Sequence, residues 1–241
     1  MLDFSRWSDT GTLSIPDMRS PTSHPATQAT AGRKPTVSVA GNGRTLLTFA
    51  PAGPNQLLWS HAANMNSTQK WAIGFWFKAT SYPVFRYLLS FGGNAGTYDN
   101  CKAEIFISNT RNLGCVFFGQ DTAGYNGRQG VTGSNALPAA GTWTAIFCAF
   151  DGTQATEALR HSVYVDWSSK ALTYSNTGAT PSAPLLLRTN AANVPAVIGN
   201  YNDTADATYA MDAALGSKIW VFNSIPVLAD AQHMLDAVKP S

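Results

Sequence analysis

The sequence predicts an all-β fold in which two antiparallel sheets pack as a jelly-roll sandwich, with one short helix near the C-terminus. Three observations predict it. Segments such as WAIGFWF at 71–77 place apolar side chains at alternate positions, as half-buried strands do. Turns rich in Gly, Asn, Asp and Pro separate these segments. The chain has 241 residues, of which 44% are hydrophobic, and this is enough for one large core.

Residues 1–36 are expected to form an extended N-terminal arm. This segment is rich in Pro, Ser and Thr and has almost no hydrophobic periodicity, which is typical of a linker. Ordering a residue costs on the order of 1 kcal/mol of backbone entropy, so the arm needs contacts that stabilise it. We expect these contacts to be made with a neighbouring subunit of a homo-oligomer. The candidate contact residues are Phe4, Trp7, Leu13 and Ile15.

Residues 37–241 are expected to form a single jelly-roll domain. About eleven segments have the strand pattern, and mainly short turns between them predict two packed sheets. The predicted strands are 43–50, 55–61, 70–80, 85–92, 102–108, 114–120, 141–150, 161–167, 185–189, 196–200 and 217–223. The longest turn-rich stretches, 92–101 and 119–137, are expected to form one exposed edge.

Odd and even positions of the tryptophan-rich strand are expected to lie on opposite faces of its sheet. Trp71 and Trp76 are five residues apart, so in a regular strand they point to opposite faces of the sheet. Ile73, Phe75 and Phe77 share the face of Trp71. This more apolar face is expected to lie in the core.

The segment 224–238 has a helical period. Its apolar face consists of Val227, Ala231, Met234, Leu235 and Val238. Ser224 is a suitable N-cap, Pro226 suits the first turn, and Pro240 ends the helix. The sequence therefore predicts a short helix that closes the sandwich.

Charge and hydropathy exclude several classes of function. Charged residues make up only 12% of the chain and the net charge is +2. No block of Lys or Arg could follow a phosphate backbone, so nucleic acid is not expected as a partner. No apolar run approaches the roughly 18 residues of a membrane span. The first residues lack the basic start and apolar core of a secretory signal.

The three cysteines, Cys101, Cys115 and Cys148, do not have the spacing of a zinc site. Cys148 alternates with Ile146 and Phe150, so it is expected to be buried. Cys101 and Cys115 flank a predicted hairpin and could pair across it. Free thiols are the favoured prediction.

Several weak motifs together resemble the laminin-G-like and concanavalin A-like jelly rolls of bacterial and phage proteins. The strand WAIGFWFKA at 71–79 is followed by W…FDG at 143–152 and YVD at 164–166. The motifs IGN at 198–200 and G…I…VFN at 216–223 come next. The resemblance covers about residues 38–238. Two positions depart from the family pattern: Trp167 replaces a turn glycine, and Ala-Pro-Ala-Gly at 50–53 replaces an early acidic turn.

The resemblance implies that a calcium ion could bind in the loops, because some family members hold calcium with Asp, Asn and carbonyl oxygens. One usual Asp position is lost at 50–53. The remaining candidates are Asp99, Asn100, Asp121, Asn200, Asn202, Asp203 and Asp206. Asn and Asp also dominate ordinary turns, so the prediction is that the chain binds no metal and no other cofactor.

The resemblance also implies two enzyme classes, but their catalytic residues are not found. Glycoside hydrolases of this fold need acidic residues at alternating positions of one strand, whereas Glu104 and Glu157 are far apart. Polysaccharide lyases combine Arg, Gln, His and Tyr on neighbouring strands, and the nearest match, Gln232–His233, lies in the predicted helix. Glu157 is expected in a solvated loop and His161 at the surface or in a turn. We therefore expect a non-enzyme, with a lyase or hydrolase as an alternative.

Three loops combine tyrosine with short polar side chains, a chemistry that suits sugars. A tyrosine ring can cover the apolar face of a sugar, and amides and carboxylates can bind its hydroxyls. The glycan-binding candidates are Tyr98, Asp99 and Asn100; Tyr125, Asn126 and Arg128; and Asn200, Tyr201 and Asp203. Tyrosines also occur at the edges of sandwiches that bind nothing, so both interpretations stay open.

The favoured function is a structural protein of a tailed-bacteriophage virion, either a capsid decoration or a tail-associated protein. A fold usually found outside cells occurs here without an export signal and with a low-charge surface. The expected partners are other virion subunits, bound through the arm, and a cell-surface glycan. The alternative is a carbohydrate-binding module or adhesin, which would be extracellular.

Overall fold

The computed structural model describes residues 1–15, 18, 25–50, 53, 55–59, 69–82, 85–91, 103–121, 124–177, 186–187, 196–201 and 208–241. For residues 117–121, 124–128, 176–177 and 186–187 it describes the backbone alone. None of the helices in these ranges is long and apolar enough to cross a membrane.

The described chain is built mainly of β-strands, numbered here along the sequence. The first ten are β1 (Leu2–Asp3), β2 (Ser8–Asp9), β3 (Leu13–Ile15), β4 (Ala26–Gln28), β5 (Thr36–Val39), β6 (Thr45–Phe49), β7 (Leu57–Trp59), β8 (Lys70–Ala79), β9 (Arg86–Phe91) and β10 (Ala103–Ile107). The others are β11 (Leu113–Asp121), β12 (Gly124–Thr132), β13 (Thr144–Asp151), β14 (His161–Val165), β15 (Ser168–Ser169), β16 (Leu172–Thr177), β17 (Leu186–Leu187), β18 (Ala196–Ile198) and β19 (Ala213–Phe222). Two α-helices, α1 (Glu157–Arg160) and α2 (Leu228–Asp236), accompany them, together with 3₁₀ turns at Phe4–Arg6 and Ala31–Arg33.

Two antiparallel sheets form a sandwich, as predicted. Sheet A has the order β15-β14-β13-β8-β19-β6-β5, and β1 also pairs with β19. Sheet B has the order β16-β12-β11-β10-β9-β18-β7-β4-β3-β2, and β17 pairs with β11. The long central strands β8 and β19 are each buried along most of their length, which is what strands covered on both faces require.

The main core lies between the inner faces of the two sheets. Trp71 and Phe75 of β8 meet the large residues of sheet B there, and all of these side chains are fully buried. The ring of Trp71 packs edge-on against Phe91 of β9, with 5.3 Å between centroids. The other odd positions of β8, Ile73 and Phe77, are in the same core, so the predicted facing of this strand is confirmed.

The first 36 residues are integrated into both sheets. Strand β1 pairs with β19 of sheet A, and β4 pairs with β7 of sheet B. Phe4, Leu13 and Ile15, which the sequence analysis assigned to contacts with a neighbouring subunit, are instead buried in the core of this chain. Their apolar side chains find contacts in their own domain, and Trp7 is the one member of that set that is exposed, at 45%.

The stretch 119–137, expected to be turn-rich, contains most of a long hairpin. Strands β11 and β12 pair from Gly114 and Val131 to Asp121 and Gly124. Because β12 contains several glycines and Asn126, apolar and polar side chains do not alternate along it, and the sequence pattern of a strand is missing. The backbone hydrogen bonds of a hairpin form without this alternation. The other expected edge, 92–101, lies outside the described residues.

Helix α2 packs on the outer face of sheet A, the face of Trp76. The indole Nε1 of Trp76 donates a hydrogen bond of 2.8 Å to the carbonyl oxygen of Leu235. Leu235 lies so close to Gly74 that a Cβ atom at position 74 would be 2.8 Å from its Cδ1. Ala231 is buried in the same interface. The helix therefore covers one sheet from outside.

The start of α2 differs from the prediction. The helix begins at Leu228 with Val227 at the N-cap position and no side-chain cap, so Ser224 does not cap it. Val227 is 68% exposed and does not belong to the buried face. Pro226 lies two residues before the first helical residue, Leu228, because the chain bends at residues 223 and 224 before the helix begins.

Candidate functional site

An aromatic patch lies on the outer face of sheet B. It is defined here as Phe85, Tyr87, Phe106, Tyr201 and Tyr209. In β10, Ile105 and Ile107 point into the main core, so Phe106 between them points outwards. Tyr87 is the strand partner of Phe106, and these residues form a cluster separate from the main core.

Tyr87 is the centre of the aromatic patch, because its ring contacts the four others. The rings of Tyr87 and Tyr201 are 4.5 Å apart and tilted by 30°. Phe85 lies 5.0 Å from Tyr87, edge to face, and 4.4 Å from Phe106. Tyr209 is 5.9 Å from Tyr87. Such ring pairs contribute about 0.5–1.5 kcal/mol each beyond the area they bury, so the patch is held together by its own contacts.

A glycine in the neighbouring strand lets Phe106 lie flat on the sheet. A Cβ atom at Gly114, the strand partner of Phe106, would come within 2.0 Å of the Phe106 ring. A side chain at this position would therefore push the ring away from the sheet and from Phe85. Gly114 is required by this close approach and not by an unusual backbone angle.

Backbone hydrogen bonds tie the segments that carry Tyr201 and Tyr209 to β9. The N–H of Tyr87 donates to the carbonyl of Tyr209 at 3.2 Å. The N–H of Gly199 donates to Leu88 at 2.8 Å, and the N–H of Met211 donates to Gly199 at 2.7 Å. The guanidinium of Arg86 donates to the carbonyls of Phe85 and Thr208. Arg86 thus links the two ends of the patch.

Exposure differs strongly across the aromatic patch. Tyr87 and Phe106 are buried, at 7% and 4%, whereas Tyr209 is 37% exposed. Tyr201 and Phe85 are half-buried. The patch therefore has a rigid floor of buried rings and a rim of accessible ones. Phenol hydroxyls at the rim can both donate and accept hydrogen bonds, so the rim offers apolar ring faces beside polar groups.

A buried polar pair lies beside the aromatic patch. Glu104 and Ser90 are direct strand partners on the outer face of sheet B, and they are 3% and 1% exposed. The Ser90 hydroxyl has no hydrogen-bond partner among the residues that the structure describes. Glu104 shares its strand face with Phe106, two residues further along β10. The carboxylate of Glu104 is an acceptor beside the rings.

The structure brings one predicted glycan-binding residue, Tyr201, into the aromatic patch. Its neighbour Asn200 is fully buried, and its Oδ1 accepts a 2.7 Å hydrogen bond from the N–H of Tyr201. Asn200 therefore fixes the turn and is not exposed to a ligand, contrary to the prediction. The other members of the patch were not predicted, because they come from three separate segments: Phe85 and Tyr87 from one, Phe106 from the second and Tyr209 from the third. The available signal was that Phe106 is a large apolar residue at an outward position of β10. The other apolar residues of this strand face the core.

The other predicted glycan-binding residues are not tested by side-chain geometry. Tyr98, Asp99, Asn100 and Asp203 lie outside the described residues. Tyr125, Asn126 and Arg128 are strand residues of β12, opposite Gln120, Gly119 and Phe117 of β11. The structure describes only the backbone at these positions.

No group of three or more His, Cys, Asp or Glu side chains in the described ranges could hold a metal ion. The calcium candidates Asp99, Asn100, Asn202, Asp203 and Asp206 lie outside these ranges, and the side chain of Asp121 is not described. Asn200, the remaining candidate, uses its Oδ1 within its own turn.

A second polar cluster is buried between the sheets at α1. Arg160 donates to Glu157 at 3.0 Å and to the carbonyl of Gln154 at 2.7 Å. The ring of His161 packs between Phe150 and Tyr174. Burial raises the pKa of Tyr174, and the negative charge of Glu157 raises it further. Glu157 and His161 are thus parts of a largely buried cluster, and not the solvated loop and surface residues that the sequence predicted.

Comparison with solved structures gives similar folds, whereas no family model and no curated protein matches the sequence. The chain is similar to the CBM40 domain of Ruminococcus gnavus IT-sialidase bound to alpha2,3 sialyllactose. The TM-score is 0.52 at 12% identity, over 83% of this chain and 96% of that chain. It is also similar to Trypanosoma rangeli sialidase in complex with 2,3-difluoro-KDN.

The Trypanosoma rangeli sialidase gives a TM-score of 0.57 at 14% identity, over 96% of this chain but only 31% of the sialidase chain. The similarity thus covers about a third of that enzyme. At these low identities, the structural similarity shows a shared jelly-roll-like sandwich and no more.

Proposed function

We propose that this chain is a non-catalytic carbohydrate-binding domain that contacts sugar with the aromatic patch of sheet B. The observation that carries the proposal is the rim formed by Tyr201 and Tyr209 on a floor of buried rings. An exposed ring held at a fixed position loses little conformational entropy when a sugar stacks on it. The apolar face of a pyranose needs such a surface, and its hydroxyls need the polar groups beside it.

The opposite outer face of the sandwich supports this choice of site. Helix α2 covers the centre of sheet A, over Trp76 and Gly74. In the part of the chain that the structure describes, neither α1 nor α2 packs on the aromatic patch. On the outer face of sheet B, Tyr209 is 37% exposed and Tyr201 is half-buried, so the rim of the aromatic patch is the part that a ligand can reach.

The fold comparison suggests the first ligand to test. The CBM40 domain with the similar fold is bound to alpha2,3 sialyllactose, so a sialylated oligosaccharide is a reasonable probe beside neutral glycans. At 12% identity the ligand of the CBM40 domain does not identify the ligand of this chain, so we propose carbohydrate only as a class.

The absence of catalysis is part of the proposal. The chain contains two glutamates: Glu104 lies on the outer face of sheet B, and Glu157 is tied to Arg160 near the end of sheet A. A retaining glycosidase needs two carboxyl groups about 5 Å apart across one bond. Asp151, a further buried carboxylate, accepts hydrogen bonds from Thr153 and Gln154 within its own turn. These positions support a binding role.

The test is a glycan array followed by calorimetric titration of the best ligand and of alpha2,3-sialyllactose. Replacing Tyr209 or Tyr201 by Ala removes one ring face, and we expect each change to weaken binding about tenfold, equivalent to about 1.4 kcal/mol. Tyr209 is partly exposed but contacts Tyr87, so its replacement should lower the thermal midpoint by only a few degrees, and binding is measured well below that temperature.

Trp7→Ala is the matched control, because Trp7 is an exposed aromatic residue outside the aromatic patch. It should bind like the parent protein. An array without any ligand, or equal binding by the parent and both tyrosine variants, would contradict the proposal. Release of sugar from sialyllactose or from a polysaccharide would contradict the non-catalytic part alone.

The virion role expected from the sequence stays a prediction. A virion protein that binds carbohydrate at the particle surface would agree with both ideas. The similar folds named above belong to sialidases and do not support the virion role. Light scattering coupled to size-exclusion chromatography would test the expected homo-oligomer.

A further inference from the structure

Cys115 and Cys148 meet in the middle of the sandwich. Cys115 belongs to β11 of sheet B and Cys148 to β13 of sheet A, and both are fully buried free thiols. Their Sγ atoms are 2.9 Å apart, about 0.9 Å longer than a disulfide bond. The sequence allows Cys101 to pair with Cys115 across a hairpin, but the thiol that Cys115 contacts, Cys148, is on the opposite sheet.

The surroundings of this thiol pair are apolar. Cys148 has Ile73 and Val163 as strand partners on its two sides, and Cys115 has Ile105 as a strand partner. All belong to the main core. Burial raises the pKa of the Cys148 thiol well above its ordinary value, and the adjacent Cys115 raises it further. The native Cys148 thiol therefore stays protonated and reacts slowly, because the thiolate is the nucleophile in disulfide exchange.

We propose that Cys115 and Cys148 are a cross-linking site, at which a disulfide joins sheet A to sheet B when the chain folds in an oxidising medium. The oxidant is a small disulfide such as oxidised glutathione. One protein thiolate attacks it and forms a mixed disulfide, and one glutathione thiolate leaves. The second protein thiolate then attacks the mixed disulfide, closes the protein bond and releases the second glutathione. Two protein thiols lose two protons and two electrons, and one glutathione disulfide becomes two thiols.

The bond forms during folding and not in the finished domain. Neither sulfur is accessible in the native sandwich, so a small oxidant reaches them only while the sheets are apart. Once the sheets pack, the two sulfur atoms already lie within contact distance, and closing the bond needs only a small movement. The two cysteines are 33 positions apart in sequence, so the bond would close a loop of this length. Closing the loop restricts the conformations of the unfolded chain.

The experiment refolds the full-length Cys101→Ser variant from urea, once with reduced and oxidised glutathione and once with excess reductant. After oxidative refolding, we expect a mass lower by two hydrogens and no thiol that iodoacetamide alkylates in urea. Peptide mapping should find one linked pair that contains positions 115 and 148. The thermal midpoint should rise by about 10 °C relative to the reduced protein, given the loop length and the size of the domain.

The matched control is Cys101→Ser with Cys148→Ala, which keeps one core thiol and cannot form the bond. Its thermal midpoint should be the same after both refolding procedures. Incubating the native reduced protein with oxidised glutathione should give at least tenfold slower loss of thiols than refolding does. The inference is wrong if both core cysteines remain alkylatable after oxidative refolding. It is also wrong if the chain with its native Cys101 links that residue to either core cysteine instead. Neither result bears on glycan binding.

Discussion

Phe75 illustrates how the position of one residue in a strand decides the effect of a substitution. It is fully buried between the sheets, and its strand partners Ile146 and Ile219 are in the same core. Trp76, its neighbour, faces the opposite way and packs under α2. A side chain at an odd position of β8 therefore supports the sandwich core, and one at an even position supports the helix.

Replacing Phe75 by Ala should lower the free energy of unfolding by about 3–5 kcal/mol, because the truncated ring leaves a cavity between two rigid sheets. Urea denaturation of parent and variant measures the difference. Phe222→Ala is the matched control, since Phe222 is half-buried on the outer face of sheet A, and its loss should be clearly smaller. A loss below 1 kcal/mol for Phe75→Ala would contradict the facing of β8.

Single residues could be predicted where local chemistry determines their role. The burial of Cys148 and the facing of Trp71 follow from alternation along one strand, and both are confirmed. The aromatic patch could not be predicted as a unit, because Phe106 and Tyr201 are far apart in sequence and each contacts Tyr87 only in the folded chain. The predicted surface position of His161 was wrong, because ionisable side chains are usually exposed. A nearby polar partner can stabilise such a side chain in the protein interior, where His161 lies.

At the level of elements, β19 connects the parts of sheet A. It pairs with β8, with β6 near its start and with β1 further along. The β1 contact includes an ion pair between Asp3 and Lys218, 3.2 Å from Nζ to Oδ2. Burial alone would raise the pKa of Asp3, but hydrogen bonds from Ser5 and the interaction with Lys218 outweigh it, so this pKa lies below its ordinary value.

This lowered pKa predicts an acid-dependent contribution to stability. A carboxyl whose pKa is lower in the folded state stabilises the fold above its unfolded pKa of about 3.9, and the contribution is lost as the pH falls through the native pKa. Asp3→Asn should therefore be less stable than the parent at pH 7. The difference should shrink as the pH falls below about 4 and through the lowered native pKa of Asp3.

Urea unfolding of the parent and of Asp3→Asn at pH 7, 4 and 2 measures this dependence. Asp9→Asn is a suitable control, because Asp9 is more exposed and its ion pair with Lys34 is screened by solvent. An equal stability difference at all three pH values would show that Asp3 acts through packing and not through its charge.

The long apolar strands could be predicted from the sequence, and the short or polar ones could not. Strand β12 contains three glycines in GYNGRQGVT, so it lacks the alternation that marks a strand, and its pairing with β11 and β16 determines its structure. The strands β1 to β4, within the first 36 residues, have two or three residues each, which is too short for a periodic signal. The helix could be predicted, but its first residue depends on how the chain leaves β19.

For the molecule as a whole, the N-terminal segment contributes to both layers of the sandwich. Strand β1 extends sheet A and β2–β4 extend sheet B, while the buried Phe4, Leu13 and Ile15 lie in the shared core. A segment that looks like a linker by composition is thus held by a few apolar anchors. Composition averages over these anchors, which explains why the sequence suggested a separate arm.

Deleting residues 1–36 should therefore unfold the domain. Three large buried side chains would be lost at roughly 2–5 kcal/mol each, a sum comparable with the whole stability of a typical domain. Circular dichroism and thermal unfolding of the truncated chain measure this. Trp7→Ala, at the exposed position, should change stability by no more than about 0.5 kcal/mol. A truncated domain with the thermal midpoint of the parent would show that the segment is dispensable for folding.

Both ends of the described chain lie on the sheet A side of the sandwich. Leu2 pairs with Ile219, and Lys239 lies over the Trp76 ring. The aromatic patch is on the far side. A tag, fluorophore or solid support attached at either end would consequently leave the aromatic patch unobstructed, so that many copies immobilised by their ends would all present it outwards.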